Sequence, residues 1–156
     1  METMMSELPS RLWTNVATTD DPIAVLPERA CWRALEGTSV GRIAIAIGGD
    51  VEIFPVNYTT DGRRILFRTA PGSKLLALTA HPTVAFEIDG FDAAAAFSVV
   101  VKGRAERLES QQEIDAADLL PLAPWIPTLK YRWVRITPTE LNGRVFRRDP
   151  EPERYV

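Results

Sequence analysis

At 156 residues the chain has the length of a single domain with room for a substantial core. It is 46% hydrophobic and 25% charged with a net charge of −3, which describes an ordinary globular protein and excludes a general attraction for nucleic acid or acidic membranes. A lone cysteine excludes an internal disulfide framework and a thiolate metal site, no apolar run approaches the roughly 18 residues of a membrane span, and residues 1–22 lack a signal-peptide layout, so a cytoplasmic protein is expected.

Residues 1–22 show no sustained period and are expected to form an extended arm ahead of one domain over 23–148, with a polar tail at 149–156. "PERACWRALE" (27–36) opens with proline and acid, and Ala30, Cys31, Ala34 and Leu35 share one face before Gly37. That predicts a short helix with Cys31 in the core. Strands follow. In 41–48 Ile43, Ile45 and Ile47 alternate with alanines, and Gly48-Gly49-Asp50 turns the chain into 51–60 as a hairpin. Asp61-Gly62 turns it again into 63–69. A helix over 72–80 precedes a strand at 83–89 and a long one at 97–108, where Gly103 marks a bulge or bend. Ser110 and Glu113 match a capping box for a helix ending by Pro121. "YRWVRITP" and "ELNGRVFRR" read as two last strands. Six or seven antiparallel strands with three short helices favour a mainly β (α+β) closed barrel, because closure removes exposed edges.

Two places carry chemistry. In "FRTAPGSKLLAL" (67–78) a strand ends at Arg68-Thr69 and a helix begins at Ser73-Lys74. A helix start leaves amides without partners and favours an anion, and arginine and lysine add full charges. Taken alone, the corner also reads as a helix start flanked by surface charges. In "FPVNY" (54–58) Pro55 removes a ladder donor, and Asn57 needs a partner if buried. That reads as an edge strand, or as a strand offering free backbone groups to a flat heteroaromatic ligand. His81, the one histidine, precedes Pro82 in a loop, and Glu87 and Asp89 share an outward face. No Ser-His-Asp set, nucleophile elbow or metal-ligand spacing is present, so no catalytic residue and no metal site is assigned.

The succession "VGRIAI", "FPVNY", "FRTAPGSKL", "VAFEIDGFD", "FSVVVKGRAE" resembles the pyridoxamine 5′-phosphate oxidase-like flavoproteins, most closely their small actinobacterial-type, nitroimidazole-reductase-like branch, from about Leu35 to Arg147. The resemblance implies a split β-barrel that binds FMN, with two flavin sites across a homodimer interface. By position, Ile53, Phe54, Pro55, Val56, Asn57 and Tyr58 would line the isoalloxazine through backbone groups. Arg68 and Thr69 would hold the ribityl–phosphate side, Ser73 and Lys74 the phosphate, and Ser98 would contact the ring. FMN is expected over FAD or riboflavin, since the corner suits a terminal phosphate and no Gly-x-Gly-x-x-Gly is present. The implied function is an FMN-dependent oxidoreductase of a small molecule, with NAD(P)H a candidate donor. A flavin store or sensor, or the same barrel with a deazaflavin coenzyme or haem, stays open. Two departures stand out. Phe97 follows the run Ala93–Ala96 where many relatives have tryptophan before the serine, and "LNGRVFRR" lacks the histidine of the oxidase C-terminus. Oxidation of pyridoxamine phosphate is therefore not expected. Trp125 and Ile126 in "LAPWIP" are expected to lie in the dimer contact.

Overall fold

A computed structural model describes residues 23–122, 125 and 130–151; the arm over 1–22, Ile126 and the end of the tail lie outside the described residues. The elements are β1 (Ile23–Val25), α1 (Glu28–Glu36), β2 (Val40–Ile47), β3 (Asp50–Asp61), β4 (Arg64–Thr69), α2 (Ser73–Ala80), β5 (Thr83–Phe91), β6 (Ala95–Arg107), α3 (Gln111–Asp118) and β7 (Arg132–Arg147). No helix among them is long and apolar enough to cross a membrane.

All strand pairs are antiparallel, in the order β1-β7-β4-β3-β2-β5-β6, and β7 also pairs with β6. The sheet therefore closes on itself through β7. This corrects the expectation of two final strands: "YRWVRITP" and "ELNGRVFRR" are one strand of 16 residues. Pro138 does not break it: it stands opposite Gly103, and the ladder shifts register between Lys102 and Gly103, leaving its neighbour Thr139 as the extra residue of a bulge. Gly103 is needed there, since a side chain would run into the Thr137 carbonyl. The bulge expected at Gly103 is present.

The alternating isoleucines point inward: Ile43 and Ile45 are fully buried with Phe67, Phe86, Ile88, Val99, Val101, Val134 and Val145. Helix α1 plugs one end of the barrel with Ala30, Cys31, Ala34 and Leu35, as its sequence face predicts, and Trp32 joins them. Cys31 sits against Gly143, and burial pushes its thiol pKa upward, so it is a packing residue. Helix α3 begins at the predicted cap, Ser110 Oγ accepting the Glu113 N–H (3.5 Å). The Glu113 carboxylate does not close a capping box but reaches Arg135 (2.7 Å). This helix covers Leu66 and Trp133 on the outside of the barrel, where Trp133 Nε1 donates to Asp118 (2.7 Å).

Glu87 and Asp89 do lie on the outward face, sharing Arg42 at 3.2 and 3.3 Å. Partial burial, then Asp89, push the Glu87 pKa up to about 7 against the opposing pull of Arg42. The folded state thus holds a proton that the unfolded chain has lost between the ordinary carboxylate pKa and about 7, and stability falls as pH rises through that window. Glu87→Gln should stabilise the protein at pH 8 by about 1 kcal/mol, allowing for solvent screening, and change little at pH 5. Urea unfolding at the two pH values checks this, and an equal effect at both would reject it.

Candidate functional site

Strand β4 ends at Thr69, and two exposed residues, Pro71 and Gly72, turn the chain into α2. Gly72 is extended and supplies no side-chain cap, so the first amides of α2 are left to solvent or a ligand. Space is open around Gly72, where an added Cβ would meet nothing within 4 Å.

Beside this corner lies a cavity of about 230 Å³, lined by Pro55, Val56 and Asn57 of β3, Arg68 and Thr69 of β4, Lys74 of α2, and by Val40, Leu122, Trp125 and Lys130. Six of the residues expected from sequence meet here. Arg68 lies with its guanidinium 5.4 Å from the Trp133 ring centroid, and its Nη2 donates to the Leu122 carbonyl at 3.5 Å. Its Nε is buried and has no hydrogen-bond partner. Lys74 holds its ammonium 4.6 Å from the Phe54 ring centroid. Burial, then the neighbouring charge of Lys130, lowers the Lys74 pKa. Among the described residues no carboxylate stands within ion-pair distance of Arg68, Lys74 or Lys130. Of the chain's 21 acidic residues, none among the described ones lines this cavity. A larger cleft of about 410 Å³ between α1 and the middle of β7 differs in this respect, because its Arg63 is already paired with Glu28.

Asn57 is only half-buried and has a partner: its Oδ1 accepts the Trp125 backbone N–H at 2.9 Å, across 68 residues of sequence. Trp125 thereby stands at the cavity mouth, 73% exposed. Strand β3 pairs with β4 only from Tyr58 onward, so Asp50–Asn57 has β2 on one side and, among the described residues, no strand on the other. The expected free backbone edge is there.

Other expected residues lie apart from the cavity wall. Ile53 is exposed on the open edge, and Phe54 packs partly against the core under Lys74. Tyr58 is buried and donates its hydroxyl to the Leu35 carbonyl (2.7 Å). Ser73 is exposed at the start of α2. Ser98 is half-buried on β6, opposite Asp89 and Arg144. His81 is exposed at the far end of α2. Sequence reasoning missed Val40, Leu122 and Lys130, and read Trp125 only as a dimer contact. Lys130 had no local signal beyond being a charge before a strand.

Fold and cavity together define a class, a small split barrel with a cationic seat beside an unpaired strand edge. The chain belongs to the pyridoxamine 5′-phosphate oxidase family, whose sequence profile matches residues 27–145. A pyridoxamine 5′-phosphate oxidase-like structure from Corynebacterium glutamicum is 42% identical, with a TM-score of 0.75 over 81% of this chain and 99% of that one. An FAD binding protein from Mycobacterium smegmatis is 34% identical, with a TM-score of 0.67 over 79% of this chain and 98% of that one. An uncharacterized protein of Mycobacterium tuberculosis is 46% identical over 93 residues, 60% of this chain and 84% of the relative.

Proposed function

We propose that this protein is a flavin-nucleotide-dependent oxidoreductase that holds the flavin phosphate at the β4–α2 corner. The observation that carries the reading is the set of unpaired cations, Arg68 with an orphaned buried Nε and a desolvated Lys74, beside the uncapped start of α2. Buried polar groups without partners are rare in stable folds, and an anion satisfies both charges and amides at once. The residues therefore fit a phosphorylated flavin. Arg68, Thr69 and Lys74 would hold the phosphate side, with Ser73 at the helix start. The backbone of 53–57 on the open edge of β3 would face the ring. The name of the Mycobacterium smegmatis relative supports a flavin as the ligand class.

Bound flavin supplies the electron-transfer chemistry, and the protein's part is to bind, orient and shield it. No histidine or carboxylate lines the cavity among the described residues, which is compatible with redox chemistry located on the cofactor. Oxidation of pyridoxamine phosphate is not part of this reading, because the C-terminal strand carries no histidine for it.

Titration of flavin-free protein tests the ligand class. FMN, the flavin expected from the corner alone, should bind at least about 10-fold more tightly than riboflavin, the worth of one charge-assisted contact. Equal affinity would reduce the corner to a bare helix start. Turnover with NAD(P)H and an acceptor then separates an oxidoreductase from a flavin store.

The same reading includes a homodimer. A cavity of about 230 Å³ is smaller than the roughly 300–1,000 Å³ of ordinary ligand sites, and a second chain would enlarge the cover over a tricyclic ring. Val51 and Ile53 are 69% and 66% exposed on the open edge of β3, an arrangement that a second copy would bury. Sedimentation should give a dimer at micromolar concentration, and a flavin-loaded monomer would reject this part.

A further inference from the structure

We infer that the cleft between α1 and the middle of β7 is a second ligand site, separate from the cationic corner, and that it takes a neutral planar molecule with a lactam edge, an N–H beside a C=O. The inference does not rest on the flavin reading. The cleft has a volume of about 410 Å³, inside the roughly 300–1,000 Å³ of ordinary ligand sites. Arg63, on its wall, immediately precedes β4, whereas the cationic corner follows Thr69 at the other end of that strand. Six strand residues hold the two places roughly 15–20 Å apart.

Two sets of unmet hydrogen-bonding groups line the cleft. Trp32 is 7% exposed, and its Nε1 is buried with no hydrogen-bond partner. An indole N–H only donates, so what it lacks is an acceptor. The other set is a strand edge. On the side away from β6, β7 pairs with β4 as far as Ile136 and with β1 only from Arg144. Residues 137–141 of that interval all line the cleft, and among the described residues no strand pairs with them on that side.

Charge on the walls is already matched. Glu28 pairs with Arg63, and Glu140 pairs with Lys102 at 3.4 Å. Among the described residues, Glu28, Arg63 and Glu140 are the charged ones that line the cleft. An ionic ligand would have to break one of these pairs, whereas Arg68 and Lys74 have none to break. The occupant that fits is therefore neutral. Leu26, Trp32, Pro138 and Leu141 offer apolar surface to a flat ring. The indole N–H calls for a carbonyl, and an open strand edge presents both N–H and C=O groups. A lactam edge pairs with these reciprocally, as a neighbouring strand would.

The probe is 2-quinolone, a neutral bicyclic lactam, titrated into the full chain labelled with nitrogen-15 and followed at the indole N–H signals of its 4 tryptophans. Trp32→Phe identifies the Trp32 signal by its loss. In wild type that signal should move downfield to saturation as the N–H gains an acceptor. 1-Methyl-2-quinolone, which has no donor, should bind about 5-fold more weakly, the worth of one neutral hydrogen bond. Trp32→Phe should weaken 2-quinolone by a similar factor, read at the backbone amides of 137–141. Thr137→Trp, a change at an exposed position of the cleft wall, should fill the space and abolish binding; it serves if Trp32→Phe does not fold. A Trp32 signal that 2-quinolone leaves in place, equal affinity for the two quinolones, or binding that survives these substitutions would overturn the inference. Displacement of 2-quinolone by FMN would put the probe at the cationic corner and overturn it as well. If 2-quinolone binds as expected and no flavin does, the flavin reading fails and the second site stands.

Discussion

Replacing Lys74 with alanine should weaken binding of FMN about 10- to 100-fold, the equivalent of about 1.5–3 kcal/mol for a lost charge-assisted hydrogen bond. Riboflavin, lacking the phosphate, should bind almost as before. The free protein should not suffer in proportion. Burial and Lys130 already disfavour the charged form of Lys74, so Lys74→Met, which keeps the stem against Phe54, should leave stability equal or slightly raised. The pH dependence follows from the same shift. Because the protonated ammonium binds phosphate, affinity should fall as pH rises through the lowered pKa of Lys74, below the ordinary lysine value of 10.5. Stability of the free protein should move oppositely, since in that window the unfolded chain binds more protons and stability rises with pH. Paired titrations of FMN and riboflavin across alkaline pH read both effects. Unchanged FMN affinity in Lys74→Ala would remove Lys74 from the site.

Gly41→Ala should lower stability by about 1–3 kcal/mol, and the melting temperature by about 2–4 °C per kcal/mol for a chain of this size. Gly41 sits on the inner face of β2, where an added methyl would enter the Phe86 ring. Phe86 is fully buried and meets Tyr58 edge-on at 4.9 Å, so it has no free direction in which to yield. Phe86→Leu makes room at the cost of its own cavity. The double variant should then be more stable than the sum of the two single losses allows, a non-additivity readable by thermal or urea unfolding. A melting temperature within 1 °C of wild type for Gly41→Ala, about the resolution of the comparison, would show that the barrel gives way there.

The sequence by itself determined whatever depends on neighbours within one or two turns of chain. Alternation at Ile43 and Ile45 set the inner face of β2, the Ala30–Leu35 stripe set the buried face of α1, and Ser110 set the start of α3. Arg68 and Lys74 were legible as an anion corner because only five residues separate them, and the order of short motifs was enough to place the family. Only the tertiary structure decided the rest. Pro138 reads as a strand end, yet β7 runs through it, because pairing with β6 and a bulge at Gly103 outweigh one missing donor. "FPVNY" reads as an edge strand or as one offering free backbone groups, and only the fold shows that its side chains divide, with Tyr58 turned into the core to meet the Leu35 carbonyl. Asn57 announced that it needed a partner; nothing local could say that the partner was the Trp125 amide, 68 residues away. Lys130 looks like solvated charge before a strand, and only the folded chain brings it onto the cavity wall with Arg68 and Lys74. Charge in a sequence is assigned to solvent by default, and only contacts between distant segments reveal where it has been left unpaired.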